Sequence, residues 1–333
     1  MTDLPLPLPA EWASQRCLWV GWPRLPEEWQ GLIEPARREI AVFVRAAAEF
    51  VPVRLAIGSD DADKAARALS LESVARLDRV PTGDIWLRDT GPIFTLSKNN
   101  GLFAHNFRFN GWGDKYAMPG DEATAEAIAT LETGMMESHS IVLEGGAIDS
   151  DGQGLLLTTR ECLLNPNRNG TTTAASVERW MQSILGARKV IWIDEGLLND
   201  HTDGHIDNAA RFVAPGHAVC QAPAGLDDPH RDRLLAIEDT LRSNNLTVTT
   251  IPSPGEVQDQ NGEIIPASHM NFLITNGAVI VPTYEKEHCV AACATLAELF
   301  PQRRVIPLSA RAILAGGGGG FHCMTKDVPQ ARA

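Results

Sequence analysis

Four short stretches of this 333-residue chain set reactive or charged side chains beside glycines or aromatics in otherwise apolar surroundings. DIWLRDTGP, residues 84–92, carries Asp84, Arg88 and Asp89 after a strand-like entry. VLEGGAID, residues 142–149, ends an apolar run on Glu144, and Gly145 and Gly146 permit close backbone approach. DHTDGHID, residues 200–207, offers His201, Asp203, His205 and Asp207. GGGGGFHCMT, residues 316–325, offers His322 and Cys323 after a run of glycines. Together they hold a thiol, a candidate proton shuttle and several carboxylates. No cation is assured to balance the acids, so a cationic ligand would suit them.

A guanidinium is planar, permanently charged and presents paired N–H donors that two carboxylates can grip. Asp89 and Asp207 fit that need. Its carbon is a poor electrophile because the charge is delocalised, so displacing ammonia calls for a thiolate, the role that fits Cys323. The departing nitrogen must gain a proton and a water must then lose one, which an imidazole can do in turn. His205 is the candidate, with Glu144 orienting and charge-stabilising it. The scheme is covalent hydrolysis through an S-alkylthiouronium intermediate. Taken singly, each residue has a plainer role: Asp89 could pair with Arg88, Glu144 could cap a turn, His205 could be a satisfied core histidine, and Cys323 could pack inertly beside a tight turn. Their joint occurrence favours the chemistry. A different class is also open, since His201, His205 and Asp207 could be read as metal ligands of a hydrolase, although Gly204 between them makes a regular helix doubtful. A polyamine-binding module without catalysis is disfavoured by the retained thiol, histidine and acids.

The elements that must position these residues alternate. Helical spacing of apolar side chains predicts helices over 35–50, 121–132, 172–186, 229–243 and 286–299. Strand-like runs cover 51–58, 141–143, 189–193, 246–251 and 304–308, and DSDGQG and QNGE suggest hairpins. The expectation is an α/β chain that is not a simple doubly wound sheet. No composition break, charge run or linker divides it, so a single domain over 1–333 is expected.

Composition narrows the partners. The net charge is −13, which disfavours nucleic acid or an anionic membrane surface. No run reaches the roughly 18 apolar residues of a spanning helix. The start MTDLPLPLPAEW has no basic segment followed by an apolar one, so a cytoplasmic location is expected. The six cysteines form no C-x-x-C pair and are expected to be thiols. The run from Asp149 begins like a calcium loop, but Arg160 falls where a bidentate acid is needed. The glycine run lacks the Lys-Ser/Thr of a phosphate cradle.

With WLRDTGP at 86–92, FNGWG at 109–113, LEGG at 143–146, TDGHIDN at 202–208 and GGGGFHCMT at 317–325, the sequence resembles the agmatine deiminase, or bacterial-type peptidylarginine deiminase, family of guanidine-modifying enzymes. CLLNPNRN at 162–169 and PASHMNFLITNGAVIVPT at 266–283 extend the resemblance over nearly the whole chain. It implies a five-bladed α/β propeller of ββαβ units with pseudo-fivefold symmetry, and neither metal nor organic cofactor. By position it implies the nucleophile at Cys323, the histidine at His205, guanidinium-binding acids at Asp89 and Asp207, and a further acid at Glu144. Trp86 and Trp112 would wall the pocket, or else simply pack in the core. The expected activity is hydrolysis of agmatine to N-carbamoylputrescine and ammonia. Deimination of free or peptidyl arginine is the near alternative, and homo-oligomerisation is left open. His201, Gly320 and Phe321 depart from the family pattern, which often has an acid at the first position and N-I-H-C around the cysteine.

Overall fold

The computed structural model describes residues 5–97, 99, 101–284 and 286–331, so the first four residues of the proline-rich start lie outside it. Among the described residues the strands form five separate sheets, each built on one pattern. Two antiparallel strands are followed by a helix, and the helix returns the chain to a third strand that runs parallel to the second. Ile93–Leu96 pairs antiparallel with Leu102–Arg108, helix Asp121–Glu132 crosses over, and Met136–Val142 adds in parallel. The same holds for Asp149–Ser150, Leu155–Thr159 and Lys189–Ile193 around helix Ala174–Leu185. It holds again for Ala210–Ala214, His217–Ala222 and Thr247–Pro252, and for Leu273–Ile274, Ala278–Thr283 and Arg304–Ser309. In the remaining sheet Gln15–Gly21 pairs antiparallel with Thr325–Pro329 from the far end of the sequence and parallel with Val53–Ile57, with Ala75–Arg79 outside. The architecture is mixed α/β.

Local chemistry explains the helix ends. Ser59 and Thr173 each accept the backbone N–H three residues on, satisfying an amide the first turn leaves unpaired. Helix Ala174–Leu185 stops at Gly186, whose φ of +67 is the left-handed cap that glycine adopts without a Cβ penalty. Helix Asp121–Glu132 buries Ala125, Ile128 and Ala129 at helical spacing against Leu102 and Ala104 of its own sheet. The predicted helices and strands are all found, shifted by a few residues at their ends, and DSDGQG is a hairpin turn in which Asp151 accepts from the amides of Gln153 and Leu155. QNGE, residues 260–263, is closed only by an isolated antiparallel bridge between Gln258 and Ile264. Among the described residues no helix is long and apolar enough to cross a membrane.

The functional segments share one place in this pattern. Asp89 lies in a single helical turn, Leu87–Thr90, just before strand Ile93–Leu96. Glu144 and Gly146 precede Asp149–Ser150, His205 and Asp207 precede Ala210–Ala214, Asn271 precedes Leu273–Ile274, and Cys323 precedes Thr325–Pro329. Each sheet thus contributes the turn that leads into its antiparallel strand. These turns bond to one another: the Gly146 amide donates to Asp89 Oδ1 at 2.9 Å, Asn271 Nδ2 to Asn208 Oδ1 at 2.9 Å, the His322 amide to the Asn271 carbonyl at 3.1 Å, and the Arg88 amide to the Cys323 carbonyl at 3.0 Å.

Candidate active site

The turns enclose a cavity of about 190 Å³ whose lining includes Trp86, Asp89, Trp112 and Cys323. Glu144, His205 and Asp207 stand behind this wall, fully buried. Gly146 shows how tightly the groups converge. A Cβ there would meet His205 Nδ1 at 2.6 Å, Asp89 Oδ1 at 2.8 Å and Asp207 Oδ2 at 3.1 Å, so only glycine leaves those three side chains around one point.

Asp89 accepts from the Gly146 amide through Oδ1 and from Trp112 Nε1, 3.0 Å away, through Oδ2. Trp112 is aimed there by an unusual backbone: it sits in the left-handed region at φ 55, ψ 47, costly for a bulky side chain, between Gly111 and Gly113 at positive φ. The plainer alternative, an Asp89–Arg88 pair, is not made, because Arg88 turns away to Glu11 at 3.2 Å and Asp327 at 2.9 Å. Burial, then the neighbouring charges of Asp207 and Glu144, push the Asp89 carboxyl up against the pull of His205.

Asp207 receives His322 Nδ1 on Oδ2 at 2.8 Å, and the other ring nitrogen of His322 lies 2.7 Å from Glu11 Oε2. A carboxylate only accepts, so an imidazole between two of them is satisfied when both nitrogens carry hydrogen. Glu11 is anchored in turn by Arg88, by Arg211 at 3.0 Å and by the Ile274 amide at 2.6 Å. Burial opposes ionisation of both acids, yet Arg211, His322 and Arg88 hold Glu11 well below the usual carboxylate range, and His322, His205 and Arg211 hold Asp207 down.

Cys323 Sγ lies 3.5 Å from Asp207 Oδ2 and accepts from Asn271 Nδ2 at 3.0 Å. Burial, then Asp207 and Asp89, push this thiol well above its ordinary value, only partly offset by the Gly320 backbone and Asn271. His205 is displaced in the other sense: burial disfavours its charged form, but Asp89, Cys162 and Glu144 hold the imidazole well above its usual value. Its Nδ1 is 3.8 Å from Asp89 Oδ2.

Two expectations need correction. Glu144 makes no hydrogen bond to His205: its Oε1 accepts from Arg168 Nε at 2.6 Å in a fully buried pair, and its Oε2 has no partner among the described residues. It stands beside the imidazole, its oxygen, the Cys162 sulfur and a His205 nitrogen all lying within 4.8 Å of one another. The acids are also not without cations, since Arg168 balances Glu144 and Arg211 balances Glu11 and Asp149. The alternative metal trio is not assembled either: His201 is exposed, with its Nδ1 on the Tyr116 hydroxyl at 3.1 Å, apart from buried His205.

The glycine run has a steric cause. Gly318 caps helix Arg311–Gly317 at φ 85. A Cβ at Gly317 or Gly319 would come within 2.8 and 2.5 Å of the Trp86 ring, and one at Gly320 would meet Asn271 Oδ1 at 2.6 Å. The run therefore lies flat on Trp86, which stacks on Trp29 at 6.4 Å, and leaves room for the Asn271 amide. Phe321 is buried against Phe43 at 4.8 Å. Glu11, Arg168, Arg211 and Asn271 were not singled out from sequence, and only the stretches CLLNPNRN and PASHMNFLITNGAVIVPT hinted at Arg168 and Asn271.

A mixed α/β chain that converges a buried thiol, an imidazole and paired carboxylates on one cavity has the parts of a covalent-catalysis enzyme. Residues 7–329 match the model of the Porphyromonas-type peptidyl-arginine deiminase family. The agmatine deiminase of Stutzerimonas stutzeri strain A1501 is 34% identical, covering 97% of this chain and 95% of its own. Among solved structures, the agmatine deiminase of Enterococcus faecalis superposes with a TM-score of 0.92 at 27% identity, covering 98% of this chain and 96% of that one. A cysteine-to-serine agmatine deiminase of C. jejuni with substrate bound gives 0.91 at 25%, covering 99% and 98%. The chain belongs to the Porphyromonas-type peptidyl-arginine deiminase family.

Proposed function

We propose that this chain is an agmatine deiminase, hydrolysing agmatine to N-carbamoylputrescine and ammonia in the cytoplasm with a single catalytic domain, its five sheets being the blades of an α/β propeller. The observation that carries the chemistry is a set of buried polar atoms without hydrogen-bond partners among the described residues: Glu144 Oε2, both nitrogens of His205, and Asp207 Oδ1. Buried polar atoms left bare around one point are costly unless a ligand satisfies them. Three carboxylates beside a thiol suit a guanidinium.

On this reading Asp89 and Asp207 grip the guanidinium, which brings positive charge to the very groups that hold the Cys323 proton in place. The thiol then ionises, with Asp207 Oδ2 the nearest acceptor, and the thiolate adds to the guanidinium carbon. His205, held as imidazolium, passes its proton to one NH2 of the neutral tetrahedral adduct. Ammonia leaves as the C–N bond breaks, giving the S-alkylthiouronium. Neutral His205 next takes a proton from water while the hydroxide adds to the same carbon. Collapse breaks the C–S bond, forms the ureido C=O and releases the thiolate, which recovers its proton from Asp207, the last hydroxyl proton going to ammonia. Asp89 and Glu144 favour the imidazolium, the donor in the first transfer and the product of the second. Trp86 and Trp112 wall the substrate's apolar stem.

The rest of the cavity favours agmatine over arginine. Glu28, Asp84 and Asp259 also line it, and no Lys or Arg lines it among the described residues. A distal ammonium would be matched there, whereas the α-carboxylate of arginine would meet those acids and no Lys or Arg among the described residues. Purified protein assayed with agmatine, arginine and an arginyl peptide should release ammonia chiefly from agmatine. Equal turnover of arginine would overturn the specificity, and no turnover of any of the three would overturn the activity.

A further inference from the structure

A second cluster of ligating side chains lies away from the cavity, on the sheet made by Ile93–Leu96, Leu102–Arg108 and Met136–Val142. His105 and Glu137 are register partners on adjacent parallel strands, and Phe107 faces His139 two residues further on. Side chains at i and i+2 share a face, so His105, Glu137 and His139 project together. His105 Nδ1 and His139 Nε2 are 3.0 Å apart. A nitrogen, a nitrogen and a carboxylate oxygen all fall within 4.8 Å of one another.

We propose that His105, His139 and Glu137 form a binding site for a zinc-class divalent cation, two imidazoles and one carboxylate leaving a fourth position to water. Two imidazole nitrogens on a tetrahedral zinc stand about 3.3 Å apart, so the observed pair needs to open by only a few tenths of an ångström. The outer shell is also in place. His105 Nε2 is 3.0 Å from Thr95 Oγ1, the kind of second contact that fixes the tautomer and leaves Nδ1 for a metal. Phe103 packs on the His105 ring at 5.0 Å and Phe107 stacks on the His139 ring at 4.7 Å, which holds both imidazoles in orientation. Glu137 is exposed and can swing onto a shared ion. Nitrogen and carboxylate ligands select zinc, nickel or copper over magnesium or calcium. The other ligating trio, Glu144, Cys162 and His205, is a poorer host because Arg168 already bonds Glu144.

Cobalt(II) titrated into the metal-free protein tests this, because its visible spectrum separates nitrogen and oxygen ligation from thiolate ligation. One saturable equivalent with a tetrahedral nitrogen/oxygen spectrum, displaced by zinc, is expected. His139→Ala, at a half-exposed position outside the catalytic machinery, should abolish it while leaving ammonia release from agmatine unchanged. Thr95→Val should weaken it by roughly 10- to 100-fold. Absence of binding in the wild type would overturn the proposal, as would binding that survives His139→Ala. So would a thiolate charge-transfer spectrum that disappears in Cys323→Ser, since the ion would then sit at the catalytic cluster.

Discussion

Replacing Asp207 by Asn should move two measurements in opposite directions. The carboxylate is fully buried, one oxygen tied to His322 and the other bare. An amide of the same shape keeps an acceptor but loses the charge that grips a guanidinium. Truncating one partner of a buried, hydrogen-bonded charge pair costs about 2–5 kcal/mol. Full burial places this site in the upper half of that range, so kcat/KM for agmatine should fall roughly four hundredfold to several thousandfold. The same charge, 3.5 Å from Cys323 Sγ, is after burial the largest cause of the thiol's raised pKa. Without it the resting enzyme holds more thiolate at a given pH. Alkylation of Cys323 by neutral iodoacetamide, followed by peptide mapping across pH, should therefore become faster in the variant that turns over least. Unchanged or slower alkylation would refute the claim that the acids keep the thiol protonated until a cation arrives.

Other outcomes follow from the same geometry. Gly319→Ala puts a Cβ within 2.5 Å of the Trp86 ring and should displace it, raising KM for agmatine and lowering the thermal midpoint by an amount equivalent to about 1–3 kcal/mol. His205 has its folded pKa raised above the unfolded value, so its contribution to stability is full below the unfolded pKa and is lost as pH rises through the folded one. Urea unfolding at a series of pH values should accordingly show stability declining on the alkaline side of neutrality, and His205→Asn should flatten that decline.

The alternating helices and strands were legible because their apolar spacing is local, as in helix Asp121–Glu132, found at the predicted residues. Strand Leu102–Arg108 escaped notice: its sequence LFAHNFR mixes His105 and Asn106 into the apolar pattern, and its packing is set by a helix further on. Cys323, His205, Asp89, Asp207 and Glu144 were readable as reactive types next to glycines, and the structure brings all five together. What each one touches was not readable. Arg168 reaches Glu144 across 24 residues and Glu11 reaches His322 across 311, so no local pattern could have shown that Glu144 is tied to a guanidinium or that His322 is held from the N-terminal side. The glycine run suggested a turn, whereas its reason is the flat face of Trp86.

The pairing of Thr325–Pro329 with Gln15–Gly21 bears on the order in which the protein becomes reactive. Asp89, Glu144, His205 and Asp207 are all synthesised before Cys323, and the thiol reaches them only when a strand from late in the chain docks beside one from its beginning. Contacts so distant in sequence form slowly. A nascent or partly unfolded chain therefore carries its carboxylates and imidazole without a nucleophile among them. On the proposed mechanism, catalytic competence therefore waits on the pairing of these two strands, the one that follows Cys323 and the one that begins at Gln15.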